Sequence, residues 1–258
     1  MIPTRNDCRQ WIIDAGNLMK GNRPEDIETK TSFKDIVTGT DKQIQEYLVE
    51  RIRSHYPEAG FLCEENGLSD FESHDFFFII DPIDGTTNYA CGYNQSAVSV
   101  ACADHEKILW GIVYNPFSKK VYEAACGEGA YMNQREIHVT TAPLSENLVG
   151  FGISPYNPEL TKKVFELGAA VANECMDLRR IGTAALELAH VAANRTGAFF
   201  EPFLRPWDYA AGLIIVEEAG GKVVDFNGRK VNFTQDSGII AGSVENVDCI
   251  LRIKNKIS

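Results

Sequence analysis

The chain has 258 residues, 44% of them hydrophobic, enough to bury a sizeable core and to exclude a disordered or fibrous protein. Acidic residues outnumber basic ones 36 to 25, for a formal charge of −11, which argues against a nucleic-acid surface with its clustered basic face. A phosphorylated ligand stays open, because bound divalent cations invert the local sign of a carboxylate cluster.

In chain order, Trp11, Ile12, Ala15 and Leu18 recur at helical spacing among Arg5, Asp7, Arg9 and Asp14. Residues 1–20 therefore read as an amphipathic helix and not as a signal-peptide core. No stretch approaches the roughly 20 apolar residues of a membrane span. Residues 21–40 are polar and read as a loop carrying Lys30 and Asp35. Helical spacing resumes at Asp41, with Ile44, Tyr47, Leu48 and Ile52 on one face and Thr40 or Asp41 as cap. Residues 60–65 read as a short strand ending in two acids, and 76–80 as a buried strand. Runs at 96–103, 108–114 and 120–125 suggest an antiparallel meander. Further on, 148–153, 176–181, 198–201, 223–224 and 238–241 read as strands. Residues 159–173, 183–194 and 207–219 read as helices, the last closed by Gly220-Gly221. This alternation predicts an α/β architecture with mixed sheets.

The chemistry concentrates in Asp81-Pro82-Ile83-Asp84-Gly85-Thr86-Thr87-Asn88. Two carboxylates stand three residues apart at the end of a buried strand, an exposed position where solvent and metal ions would reach them. Pro82 removes a backbone donor and is expected to stop that strand, while Gly85 permits a close approach of backbone to ligand. Thr86 and Thr87 offer hydroxyls and amides for an anion at a helix start. On its own such a segment reads equally well as a turn. Glu64-Glu65 and Asp208 are further acids at element ends, although Asp208 alone is also what a helix dipole favours in a first turn. Oxygen donors without His or Cys suit a hard cation such as Mg²⁺. The five histidines are isolated and the seven cysteines contain no CxxC. A zinc site has little support, and free thiols in a reducing cytoplasm are expected.

Together these segments resemble the inositol monophosphatase family, within the lithium-sensitive, magnesium-dependent phosphatases. The matching stretches are Glu64-Glu65, the DPIDGTTN segment, Ile181-Gly182-Thr183-Ala184-Ala185, Pro206-Trp207-Asp208-Tyr209-Ala210-Ala211-Gly212 and Glu217-Glu218-Ala219-Gly220-Gly221, spanning about Lys30 to Gly221. The resemblance implies one domain over residues 1–258, layered α/β/α/β/α like inositol monophosphatase and fructose-1,6-bisphosphatase. A metal- and phosphate-binding half would cover about 1–145 and a substrate-side half 146–258.

The resemblance also implies roles. Glu64, Asp81 and the Ile83 carbonyl would hold one Mg²⁺, and Asp81, Asp84 and Asp208 a second, with a third, weaker ion near Glu64. Phosphate oxygens would take the amides of Gly85, Thr86 and Thr87. Glu64 and the pair Thr86 with Asp41 would orient and deprotonate a water that attacks directly, without a covalent intermediate. Lys30 fits the basic residue of a mobile loop at about 28–39, and Glu65 is a further possible site acid. Glu201 would accept hydrogen bonds from substrate hydroxyls, with Gly182, Thr183 and Ala184 lining the same pocket. Arg205, Arg179 and Arg180 are rim candidates for a second phosphate.

Two departures stand out. Cys91-Gly92-Tyr93-Asn94 replaces the family's His-Gly-x-Pro after Asn88, and Cys63 precedes the first site glutamate, where oxidation would be expected to weaken metal binding. The implied substrate is a small phosphorylated polyol, myo-inositol monophosphate by default. NADP(H), fructose 1,6-bisphosphate, histidinol phosphate and 3′-phosphoadenosine 5′-phosphate are the alternatives. A cytoplasmic homodimer without membrane or nucleic-acid partner is implied. The alternative of another class is a non-catalytic regulatory or binding protein on the same fold, as among some bacterial relatives.

Overall fold

The computed structural model describes residues 2–21, 27–30 and 36–257. Helix α1 (Arg5–Gly21) presents Cys8, Ile12, Ala15 and Met19 on one buried face. The expected loop that follows contains two short strands, β1 (Ile27–Thr29) and β2 (Ile36–Thr38), paired antiparallel. The rest of the loop expected to be mobile lies outside the described residues. Helix α2 (Gly39–His55) starts earlier than its spacing suggested, because Thr38 is the N-cap. Asp41 lies inside the first turn, where its Oδ2 accepts the Thr38 N–H at 2.9 Å and the Thr38 hydroxyl at 2.5 Å. Ile44, Leu48 and Ile52 are its buried stripe.

Seven strands then form one sheet in sequence order: β3 (Gly60–Cys63), β4 (Phe77–Asp84), β5 (Ala97–Ala103), β6 (Ile108–Asn115), β7 (Lys120–Ala125), β8 (Gly129–Met132) and β9 (Arg135–Ile137). Only β3 and β4 run parallel; β4 to β9 form the expected meander, extended by β8 and β9, which the sequence reading did not anticipate. The short helix α3 (Thr86–Ala90) leaves the end of β4.

The second sheet has five strands: β10 (Leu148–Phe151), β11 (Asp177–Arg179), β12 (Ala198–Leu204), β13 (Lys222–Val224) and β14 (Ser237–Gly242). They are ordered β11-β10-β12-β14-β13, parallel on the β10 side and antiparallel on the β14 side. Helices α4 (Pro158–Ala172) and α7 (Val244–Ile257) cover its outer face, while α5 (Ala184–Ala192) and α6 (Pro206–Glu218) fill the space between the two sheets. Helix α7 was not anticipated from the sequence.

The layers are thus α1 and α2, the seven-stranded sheet, α5 and α6, the five-stranded sheet, then α4 and α7. Strand periodicity assigns each side chain to its core. Phe77 and Ile79 enter the middle core, while Phe78 and Ile80 face α1 and α2. Phe199, Ile239 and Ala241 likewise face the middle, and Phe200 and Ile240 face α4 and α7. Full burial of each large side chain stabilises by about 1.5–3 kcal/mol. Helix α6 is buried from Tyr209 through Val216 with no polar stripe, as a helix walled by sheets on both sides must be. Its close approach to β6 depends on Gly111, where a Cβ would stand 2.8 Å from the Ala211 Cα and carbonyl oxygen.

Candidate active site

Strand β4 does not end at Pro82. Asp81 pairs with Ser99, the register shifts, and pairing resumes at Asp84 with Ala97. Pro82 falls in that irregularity, where no ladder donor is needed. The consequence corrects the expected exposed strand end: Asp81 and Asp84 are buried, at 2% and 8% exposure. Gly85 then turns the chain at φ 82°, capping α3, and a Cβ there would meet the Thr183 Oγ1 at 2.4 Å.

Four other elements converge on this turn. From α2, Asp41 offers Oδ1 to the Thr86 hydroxyl at 3.0 Å, and that hydroxyl also lies 3.0 Å from the Ile83 carbonyl. After β3 come Glu64 and Glu65, the latter held by reciprocal bonds with the Gln45 side chain at 2.9 and 2.7 Å. Lys30 Nζ bridges both acids, 3.1 Å from Glu64 and 2.5 Å from Glu65. From α6, Asp208 accepts the Arg205 N–H at 2.7 Å, and from α5 the Ala185 N–H donates to Asp84 at 2.6 Å.

A cavity of about 960 Å³ opens over these groups. Its walls include Glu64, Asp81, Ile83, Asp84, Asp208, Glu201, the whole Gly85–Asn88 turn, Lys30, Gly182 and Ala184. Arg180 and Arg205 are also on the wall, the latter paired with Asp236. Asp41 and Glu65 stand behind it. Thr183 does not line it as expected: its side chain is buried and its hydroxyl donates to the Gln95 carbonyl at 2.5 Å. Arg179 turns away to Asp177.

The sequence reading gave no role to Asn88, whose Nδ2 reaches the carbonyls of Gln95 (2.8 Å) and Ile181 (3.0 Å) and the Thr183 hydroxyl (3.1 Å), tying the turn to the adjacent Ile181–Thr183 segment. Its place at the end of the motif was the available signal. Tyr156 and Phe203 also line the cavity, from segments without any periodic cue.

Electrostatics mark the acids as a unit. Burial raises Asp81 well above the usual carboxylate range, and Glu64, Asp84 and Asp208 raise it further. Burial likewise pushes Asp84 up to about 7 and lifts Asp208, which Asp84 and Glu64 raise further. Glu64 is raised by burial against the opposing pull of Lys30. Burial would lower the Lys30 ammonium, but Glu64 and Glu65 raise it on balance. Glu201 is raised by burial, then by Asp208 and Asp84. Behind it, burial pushes Glu187 up to about 7.

Among the described residues no three acidic, histidine or cysteine side chains already converge on one point. The donor set nonetheless fits a hard divalent cation. Its atoms are oxygens, their mutual repulsion is what a cation relieves, and the buried Asp81 Oδ1 has no hydrogen-bond partner among the described residues. Cys63 is 2% exposed with its thiol pushed up by burial, so the expected sensitivity to oxidation has no accessible thiolate to act through.

A profile of the inositol monophosphatase family matches residues 6–257. The chain belongs to the inositol monophosphatase family. It is 36% identical over 255 residues to the Nus factor SuhB of Escherichia coli K12, covering 97% of this chain and 95% of the relative. Among solved structures, a Thermotoga maritima IMPase superposes with a TM-score of 0.88 at 32% identity, covering 98% of this chain and 96% of that one. An IMPase/NADP phosphatase complexed with Mg²⁺ and phosphate superposes at 0.85 with 25% identity, covering 96% and 93%. The inositol monophosphatase fold accounts for both sheets and the helices between them. No described helix is long and apolar enough to cross a membrane.

Proposed function

We propose that the chain is a Mg²⁺-dependent phosphomonoesterase acting on a small phosphorylated polyol, with myo-inositol monophosphate foremost. The observation that carries this reading is the meeting of Glu64, Asp81, Asp84 and Asp208 beside the Gly85–Asn88 turn in one cavity. The related structure with Mg²⁺ and phosphate supports it. Glu64, Asp81 and the Ile83 carbonyl would hold one ion, Asp81, Asp84 and Asp208 a second, and the surroundings of Glu64 a third. Mg²⁺ bound there supplies Lewis acidity and neutralises the charge of acids and phosphate.

The chain's own residues do the rest. The amides of Gly85, Thr86 and Thr87 receive phosphate oxygens. The Thr86 hydroxyl, donating to Asp41, presents its lone pairs to a water that Glu64 helps orient. As that water attacks phosphorus in line, its proton passes to Thr86 Oγ1 and the Thr86 proton to Asp41, whose pKa burial has raised. The bond from phosphorus to the alcohol oxygen breaks, the departing alkoxide takes a proton from solvent water, and no residue is phosphorylated. Glu201 accepts the polyol hydroxyls, while Gly182 and Ala184 leave room for the ring. A cytoplasmic, lithium-sensitive homodimer belongs to the same reading.

Likeness to a protein named a Nus factor favours a second reading, a regulatory or binding role on the same fold. Phosphate release from myo-inositol 1-phosphate tests the first. It should require Mg²⁺, cease in EDTA and fall at least about 100-fold in Asp84→Asn. A folded protein that releases no phosphate from polyol, nucleotide, histidinol and sugar bisphosphate esters would leave only the second reading. Ranking kcat/KM over that panel names the substrate.

A further inference from the structure

Glu187 is a buried acid that the proposed chemistry leaves unused. It lies in the first turn of α5 at 1% exposure. Its Oε1 accepts the Ile181 N–H at 2.8 Å, and its Oε2 has no hydrogen-bond partner among the described residues. A side chain of this kind is retained at a cost in stability, so what it holds is informative.

The space for it is made by Gly150 on β10, where a Cβ would stand 2.4 Å from the Glu187 Oε2. Two residues on, Gly152 makes the same room for Glu201, whose Oε2 would lie 1.9 Å from a Cβ there. Residues two apart along an extended chain share a face, so two missing side chains seat two carboxylates together. Glu201 and Gly152 line the cavity, whereas Glu187 stands behind it.

What Glu187 grips is a turn that lines the cavity. Ile181 is fixed twice, its N–H by Glu187 and its carbonyl by the Asn88 amide at 3.0 Å. Gly182 follows at φ 84°, and Thr183 caps α5 while anchoring to Gln95. The cavity-facing members of this turn are Arg180, Gly182 and Ala184; just beyond it the Ala185 N–H separately holds Asp84 at 2.6 Å. Asn88 ties the turn to the phosphate side, and the hydrogen bond that Glu187 accepts from the Ile181 N–H holds it from behind.

We propose that Glu187 is a positioning residue: through Ile181 it fixes the Arg180–Ala184 turn and thereby selectivity for the alcohol part of the ester, its own carboxylate being bonded to the Ile181 N–H and not to a proposed metal ligand. The proposal rests on the phosphatase reading above.

The test compares Glu187→Ala, Glu187→Gln and Gly150→Ala with the wild type on two esters. Myo-inositol 1-phosphate needs the polyol wall, and p-nitrophenyl phosphate, with its good leaving group, needs little from it. For the polyol ester, Glu187→Ala and Gly150→Ala should raise KM about tenfold or more with kcat within about threefold, while kcat/KM for the aryl ester stays within about threefold. Glu187→Gln keeps an acceptor for the Ile181 N–H and should return KM to within about threefold of the wild type. Circular dichroism identifies variants that fail to fold, and Glu187→Gln against Gly150→Ala decides the matter if Glu187→Ala is among them. Equal losses on both esters, a Gln variant as impaired as the Ala variant, or folded variants with unchanged KM would overturn the proposal alone. A wild type inert on both esters would overturn the phosphatase reading, and this proposal with it.

Discussion

Asp41 serves structure and chemistry with different oxygens. Oδ2 closes the start of α2 by accepting both Thr38 donors, and Oδ1 is left for the Thr86 hydroxyl. The helix cap thus orients the proposed proton relay at no extra conformational cost. Thr86→Ala should therefore lower kcat by about 10²–10⁴ while Mg²⁺ affinity by calorimetry stays close to that of the wild type. Thr86→Ser, which keeps the hydroxyl, should retain most of the rate; equal impairment of both would remove the relay. Identities of this kind were legible in the sequence, because oxygen donors at fixed offsets in residues 81–88 have a chemical meaning apart from the fold. Their burial was not legible. The sequence reading placed Asp81 and Asp84 at an exposed strand end, since Pro82 reads as a terminator until the register shift opposite β5 is seen to absorb it.

At the scale of elements, legibility followed local signal. Strands β5 and β6 announce themselves by long apolar runs, and α6 by a mostly small and apolar stretch ended by glycine at φ 82°. The β8–β9 hairpin does not, because its turn places Asn133 and Gln134 at φ 50° and 67° with no glycine to mark it. Helix α7 buries only Asn246, Val247 and Ile250 amid charge, a stripe too narrow to stand out. Strand β1 is exposed along its length and exists through its pairing with β2. The packing of α6 on the seven-stranded sheet makes a sharper claim. Gly111→Ala puts a methyl against the Ala211 backbone, which cannot rotate aside as a side chain does. It should cost about 1–3 kcal/mol and lower the melting temperature by several degrees, read by calorimetry. A melting temperature unchanged within a degree would show that α6 shifts freely on β6.

For the whole molecule, His190 offers a pH signature away from the acids. Burial, then Lys120 and Arg195, lower its pKa from 6.5 to about 4, and its ring packs edge-on to Tyr122 at 6.3 Å. A depressed folded pKa means the unfolded chain takes up the proton first as pH falls. Its stabilising contribution is intact above about pH 6.5, declines through the window, and is gone below about pH 4. Allowing for its partial exposure, the swing is about 2–3 kcal/mol. Urea midpoints for His190→Gln should consequently fall less between pH 6.5 and 4 than those of the wild type, and parallel curves would refute the assignment.

Chain order and spatial order disagree in this molecule. Helix α6 belongs to the later part of the sequence, yet it supplies the inner cover of the sheet built by residues 60–137. A ribosome that has released only that first sheet has made a surface with Phe77, Ile79 and Tyr122 bare and nothing to lay over it. The nascent chain must wait for residue 218 before its first half can be watertight. Two separately expressed pieces split between β9 and β10 would meet the same deficit, each sticky alone and soluble only as a reconstituted pair.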